Sequence, residues 1–99
     1  MVEFREIEWN EYNIEKIEEH GVRSYEAEEL FESPYILLRC KKKRGDHLEK
    51  RRILLGVTLG GRYVFLVFED KGKGIARPIS ARDMDMEDDE RRFYEEKVG

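Results

Sequence analysis

The middle of the chain leaves few folds open. Three apolar-rich segments follow closely on one another: Lys50 to Leu59, Arg62 to Glu69 and Ile75 to Arg82. Gly60-Gly61 separates the first two and Lys71-Gly72-Lys73-Gly74 the last two. Glycines so placed supply the backbone angles of tight hairpins, so consecutive segments are expected to pair antiparallel. Val64 to Phe68 is the longest unbroken apolar run. It has no polar face, which predicts a central strand covered on both sides. Tyr35 to Arg44 reads as a strand before them, and Gly45-Asp46-His47 as the turn between. Pro78 removes a ladder donor and predicts a sheet edge or a bulge.

Helical patterns flank this block. Phe4 to Trp9 alternates apolar and charged residues, which predicts a short strand. Asn10 then caps a helix to about His20, with Tyr12, Ile14 and Ile17 as its apolar contacts and Gly21 at its end. Ser24 caps a second helix to about Glu32, with Ala27, Leu30 and Phe31 on one face and Ser33-Pro34 as its stop. Asp83 to Asp85 start a third helix, to about Lys97, with Met86 and Phe93 sharing a face. The expected fold class is α+β: a short N-terminal strand, two helices, a four-stranded antiparallel meander and a C-terminal helix, in one domain over residues 1–99.

Charge is segregated along the chain. Residues 1–33 carry a balance of -8, residues 34–82 of +9 and residues 83–99 of -5, so the net charge of -4 conceals a basic middle. Phosphate responds to local potential, and the basic segment is where nucleic acid would bind. The alternative is that basic strands pair with acidic helices inside the fold. Charged residues make up 42% of the chain, but eleven aromatics argue against disorder. No apolar run approaches the roughly 20 residues of a membrane span. The first residues do not read as a signal peptide, and the single Cys40 cannot close an internal disulfide. A cytoplasmic protein is expected.

Familiar catalytic signatures are missing. The glycine spacing fits neither a P-loop nor a dinucleotide turn. Cys40, His20 and His47 lack metal-ligand spacing, and the acidic run from Asp83 to Glu90 lacks the pattern of a calcium loop. No Ser or Cys is placed with a His for nucleophilic catalysis. No metal and no cofactor are expected. What remains is arginine: Arg51, Arg62, Arg77 and Arg82 on consecutive strands, then Arg91 and Arg92 with Tyr94 on the last helix. Antiparallel pairing can gather such strand residues on one concave face. Arginine keeps its charge and grips phosphate with two donors, which suits the developing charge when a 2′-hydroxyl attacks its neighbouring phosphate. Glu90 and Tyr94 are the nearest candidates for proton transfer or positioning, with His20 and His47 further off.

These residues carry a family resemblance. Phe4 and Trp9, Glu19-His20-Gly21-Val22, Ala27, Phe31, Arg51, Leu55-Gly56 and Gly61-Arg62 occur in the order of the BrnT toxins, RelE-like ribonucleases of type II toxin–antitoxin systems, which the chain resembles. The most specific stretches are Arg77-Pro78-Ile79-Ser80-Ala81-Arg82-Asp83-Met84 and Glu90-Arg91-Arg92-Phe93-Tyr94-Glu95. The resemblance implies a metal-independent endoribonuclease with an RNA substrate. It implies a BrnA-like ribbon–helix–helix antitoxin as partner, with no direct DNA binding by the toxin and no membrane association. It points to Arg62 and Arg82 as functional arginines, to which Arg77 and Arg51 are added, with Glu90 as the accompanying carboxylate. Arg91, Arg92 and Tyr94 are further RNA-binding candidates; the Lys41, Lys42, Lys43 and Arg44 run, unusually basic for the family, either tracks the RNA backbone or forms a solvated hairpin tip.

The chain also departs from the family's pattern. Asp85, Glu87, Asp88 and Asp89 stand where Thr, Lys or Arg are frequent, and Arg52 stands where an aromatic residue is usual. Acidic residues turned toward the arginines would oppose RNA. A second reading is therefore a catalytically degenerate relative that keeps the antitoxin or RNA interface without cleavage. A third is a small interaction protein with no RNA role. The placement of Asp85, Asp88 and Asp89 relative to Arg62 and Arg82 separates the first two.

Overall fold

The computed structural model describes residues 4–39 and 50–98. Their elements are β1 (Glu6–Ile7), α1 (Glu11–Glu18), α2 (Ser24–Glu32), β2 (Ile36–Arg39), β3 (Arg51–Val57), β4 (Tyr63–Gly72), β5 (Ile75–Asp83) and α3 (Asp89–Val98). The Lys41, Lys42, Lys43 and Arg44 run, Cys40 and His47 lie outside the described residues.

The strands form one five-stranded sheet in the order β1-β5-β4-β3-β2. Neighbours from β2 to β5 pair antiparallel, but β1 lies parallel to β5, with Ile7 opposite Ala76. The sheet is therefore mixed, whereas the turn pattern predicts an antiparallel one. The reason is the length of the connection. β1 reaches β5 only after both helices and three strands, and a crossover of that length permits parallel pairing. β4 is central, as its two-faced apolar run requires. β5 carries the predicted irregularity: Phe68 pairs with Pro78 but Val67 with Ser80, so Ile79 is an extra residue, a β-bulge beside the proline.

Successive strand residues face opposite sides of the sheet, so its two faces build two cores. On one side Leu54, Val64, Leu66, Phe68, Ala76 and Ala81 pack against Ile17, Val22, Ala27, Leu30 and Phe31 from α1, α2 and the turn between them. Phe4, Phe31 and Phe68 meet edge to face at its centre, with ring centroids 5.1 to 5.7 Å apart. Each large side chain buried here contributes about 1.5–3 kcal/mol of transfer free energy. Gly56 lets α2 approach: a Cβ there would lie 3.0 Å from Ser33 Oγ. On the other side Leu55, Met84 and Tyr94 form a smaller core with Ile36, Leu38, Ile53, Val57, Tyr63 and Phe65 packed around it.

Local signals decide the helix ends. Asn10 and Asn13 cap α1 reciprocally, each side chain accepting the other's backbone N–H at 2.8–2.9 Å. Gly21 adopts φ +77° after α1, and Val22 donates back to the Ile17 carbonyl. Two expectations need correcting. Arg23, not Ser24, is the cap of α2, because the Glu26 carboxylate accepts the Arg23 N–H and closes the first turn. α3 begins at Asp89, not near Asp83: β5 runs through Asp83, and Met84 N–H still donates to the Tyr63 carbonyl. Asp85 donates to the Asp88 carboxylate in the intervening turn. Met86 is 77% exposed and shares no buried face with Phe93. Tyr12 is likewise no core contact of α1, at 73% exposed.

Candidate nucleic-acid interface

Cross-strand register decides which arginines meet. Val64 pairs with Asp83 and Phe65 with Arg82, so these neighbours on β5 face opposite sides. Arg82 stands over the Phe65 ring, 4.1 Å from its centroid, on the α3 side. Arg62 reaches the other way, to the end of α1 and the first turn of α2. The single concave face expected for Arg51, Arg62, Arg77 and Arg82 is thus not formed by all four.

Arg62 has no donor left over. Its Nε and Nη2 donate to the two carboxylate oxygens of Asp83, the second at 3.1 Å. Nη1 donates to the Gly21 carbonyl at 2.7 Å and to Glu26 at 3.1 Å, and Nη2 also donates to the His20 carbonyl at 3.2 Å. A guanidinium has five N–H groups, and all five are engaged. The hydrogen bond to Asp83 raises the Arg62 pKa, and the same bond holds the Asp83 carboxyl below its ordinary range against the opposing effect of burial.

Arg82 is also engaged. Nη2 donates to Glu90, Nη1 donates to the Asp83 carbonyl at 3.2 Å, and Asp88 lies 3.6 Å away. Its side chain remains 43% exposed. Glu90 is thereby a partner of Arg82, and Asp88 is turned toward it. Arg91 stacks on Tyr63, 3.9 Å from the ring centroid, with its Nε buried and without a hydrogen bond. Arg92 is outermost, beside Asp89 at 3.3 Å and the Glu87 carbonyl at 3.2 Å. Tyr94 is buried and donates its hydroxyl to the Pro34 carbonyl at 2.8 Å. Burial raises its pKa, with Tyr63 adding to the effect.

The other two arginines stand at the far end of the same α3-side face, one strand apart from each other. Arg51 pairs with Glu69 across β3 and β4, and Glu69 with Arg77 across β4 and β5. The three form a row, arginine–glutamate–arginine, over three adjacent strands. Arg77 Nη2 lies 2.9 Å from the Glu69 carboxylate, while Arg51 has no ion pair among the described residues. They line an open cavity of about 420 Å³ with Pro78 and Ile79 of the bulge and with Asn10, Tyr12 and Asn13 at the start of α1. That volume is within the range of small-molecule sites. Sequence reasoning found Arg51 and Arg77 but missed Glu69. The available signal was a carboxylate closing an apolar strand inside a basic segment.

Among the described residues no group of three His, Cys, Asp or Glu could hold a metal, and no helix is long and apolar enough to cross a membrane. No curated protein matches the chain. A protein-family match does: residues 9–88 fit the family described as the ribonuclease toxin BrnT of type II toxin–antitoxin systems. The matched segment spans α1, α2, the strands β2 to β5 and Arg51, Arg62, Arg77 and Arg82, and stops before α3. On that match over most of its length, the chain belongs to the BrnT family of ribonuclease toxins of type II toxin–antitoxin systems.

Proposed function

We propose that the protein is a metal-independent endoribonuclease whose reacting phosphate lies on the Arg51–Glu69–Arg77 row. That row is the observation that carries the reading. Two guanidinium groups flank one carboxylate in an open cavity on a rigid sheet. Glu69 takes the proton of the RNA 2′-hydroxyl, and the 2′-oxygen attacks phosphorus. The 5′-oxygen leaves with the proton carried by Glu69, giving a 2′,3′-cyclic phosphate and a 5′-hydroxyl. Arg51 and Arg77 stabilise the charge that builds on the phosphate oxygens. Arg82, on the same face, is held back from the next phosphate by Glu90 and Asp88. Arg62 positions the fold and does not touch RNA. The partner is a BrnA-like ribbon–helix–helix antitoxin that covers this face; the toxin makes no DNA contact of its own, and the pair works in the cytoplasm.

The test is cleavage of an end-labelled single-stranded RNA in EDTA by wild type, Arg77→Ala and Glu69→Gln, each verified as folded. Cleavage by wild type alone, ending in a cyclic phosphate, is the expected result. Equal cleavage by all three removes the row from the mechanism, and cleavage abolished by EDTA removes the metal-free chemistry.

The degenerate reading has its own observation. Asp83 occupies Arg62, and Asp88 with Glu90 occupies Arg82. At that end of the sheet the acidic residues face the arginines. A folded wild type that binds RNA or antitoxin without cutting RNA would establish it.

A further inference from the structure

The cavity has lining residues that phosphate chemistry does not use. Asn10 and Tyr12 line it together with the Arg51–Glu69–Arg77 row. Tyr12 is the second residue of α1, and it is 73% exposed where it lines the cavity. Nothing packs it there as a core residue, although Ile17 on the same helix is fully buried. Asn10 is fixed by its capping role: its Oδ1 accepts the Asn13 N–H at 2.8 Å. That bond fixes which side of the amide points away, and Asn10 Nδ2 donates to no described residue. Asn13 offers no spare group of that kind, since its amide accepts from Asn10 and donates to the Glu8 carbonyl at 2.9 Å.

A nucleotide needs two unlike contacts, cationic donors for its phosphate and a flat surface for its base. This cavity's lining offers both. We infer that Tyr12 and Asn10 form a base subsite, in which Tyr12 stacks one RNA base and Asn10 Nδ2 donates to a carbonyl oxygen on its edge. Uracil, guanine and cytosine carry such an oxygen and adenine does not, so the subsite favours the first three. The inference rests on Arg51 and Arg77 being the phosphate site.

The experiment measures binding of labelled 2′-O-methyl hexamers, which cannot be cleaved by their own 2′-oxygen, to the full chain. Oligo-U and oligo-A are compared on wild type, Tyr12→Ala, Tyr12→Phe, Asn10→Ser, Arg51→Ala and Arg77→Ala. Asn10→Ser retains a capping oxygen and removes only the amide donor. Tyr12→Ala is expected to weaken oligo-U binding about tenfold, the size of one lost stacking contact, while Tyr12→Phe retains it. Asn10→Ser is expected to shift the affinity ratio from oligo-U toward oligo-A. If Tyr12→Ala binds like wild type, or Asn10→Ser leaves the ratio unchanged, the inference is overturned. Should the two arginine variants still lose affinity in that case, the phosphate site stands without it. If the arginine variants also bind like wild type, or wild type binds neither hexamer, both fall together.

Discussion

Asp83 grips Arg62 with both carboxylate oxygens, and Arg62 directs its remaining donors to two backbone carbonyls and Glu26. One side chain thereby joins β4, β5, the turn after α1 and the start of α2. Arg62→Ala leaves those acceptors without a partner. It is expected to cost about 2–3 kcal/mol, a fall in Tm on the order of 10 °C or more for a chain of this size, measured by thermal unfolding. Arg62→Lys should recover only part of the loss, since an ammonium cannot reproduce the fork. A Tm within about 2 °C of wild type in the alanine variant would remove the structural role.

The same pair sets an acid dependence. The folded-state pKa of Asp83 is lowered, so its contribution to stability is complete above the ordinary value of 3.8 and disappears as pH falls through the lowered value. Asp83→Asn should be less stable than wild type at neutral pH by up to about 1 kcal/mol, a modest figure because the carboxylate is half exposed. The difference should vanish in strong acid. Denaturant unfolding of both proteins between neutral pH and strong acid checks the sign.

At the cleavage site the expected losses are larger. Glu69→Gln removes the proton acceptor and keeps the shape, so single-turnover RNA cleavage should fall by about 10²–10⁴-fold. Arg77→Lys keeps a charge but loses bidentate contact, and should remain well below wild type. Circular dichroism spectra matching wild type would assign the loss to chemistry and not to unfolding.

Glu90 restrains Arg82, and removing its charge tests what Arg82 can do. Glu90→Gln is expected to tighten single-stranded RNA binding and to steepen the slope of log affinity against log salt by about 0.7, the signature of one more phosphate contact. An unchanged slope would leave Arg82 a structural residue, held by Asp88 as well.

Tyr94 is expected to act through packing. Tyr94→Phe removes the hydroxyl that reaches the Pro34 carbonyl and keeps the ring against Tyr63. It should cost about 1 kcal/mol in thermal unfolding and leave RNA affinity where it was.

Particular residues show what the sequence could reveal. Gly60-Gly61 and the Lys71–Gly74 turn announce the β3-β4-β5 hairpins, and Asn10 and Gly21 bracket α1, because these signals are local. The parallel seat of β1 was not legible, since it depends on β5, some seventy residues later. Arg51 and Arg77 could be named as phosphate ligands, but Glu69 between them emerges only from cross-strand register. Arg62 looked like Arg82 in sequence. What separates them is Asp83, which draws Arg62 to the α1–α2 side while Arg82 stacks on Phe65.

The bulge at Ile79 has a consequence for that register. Arg77 and Arg82 are five positions apart, an odd number, and on an unbroken strand they would emerge from opposite surfaces. The extra residue changes the phase of β5 between them. Arg77 thus stands opposite Glu69, and Arg82 opposite Phe65, on one side. The spatial grouping of the two cations depends on the parity of a residue count. Deleting Ile79 would invert it without altering a single charge.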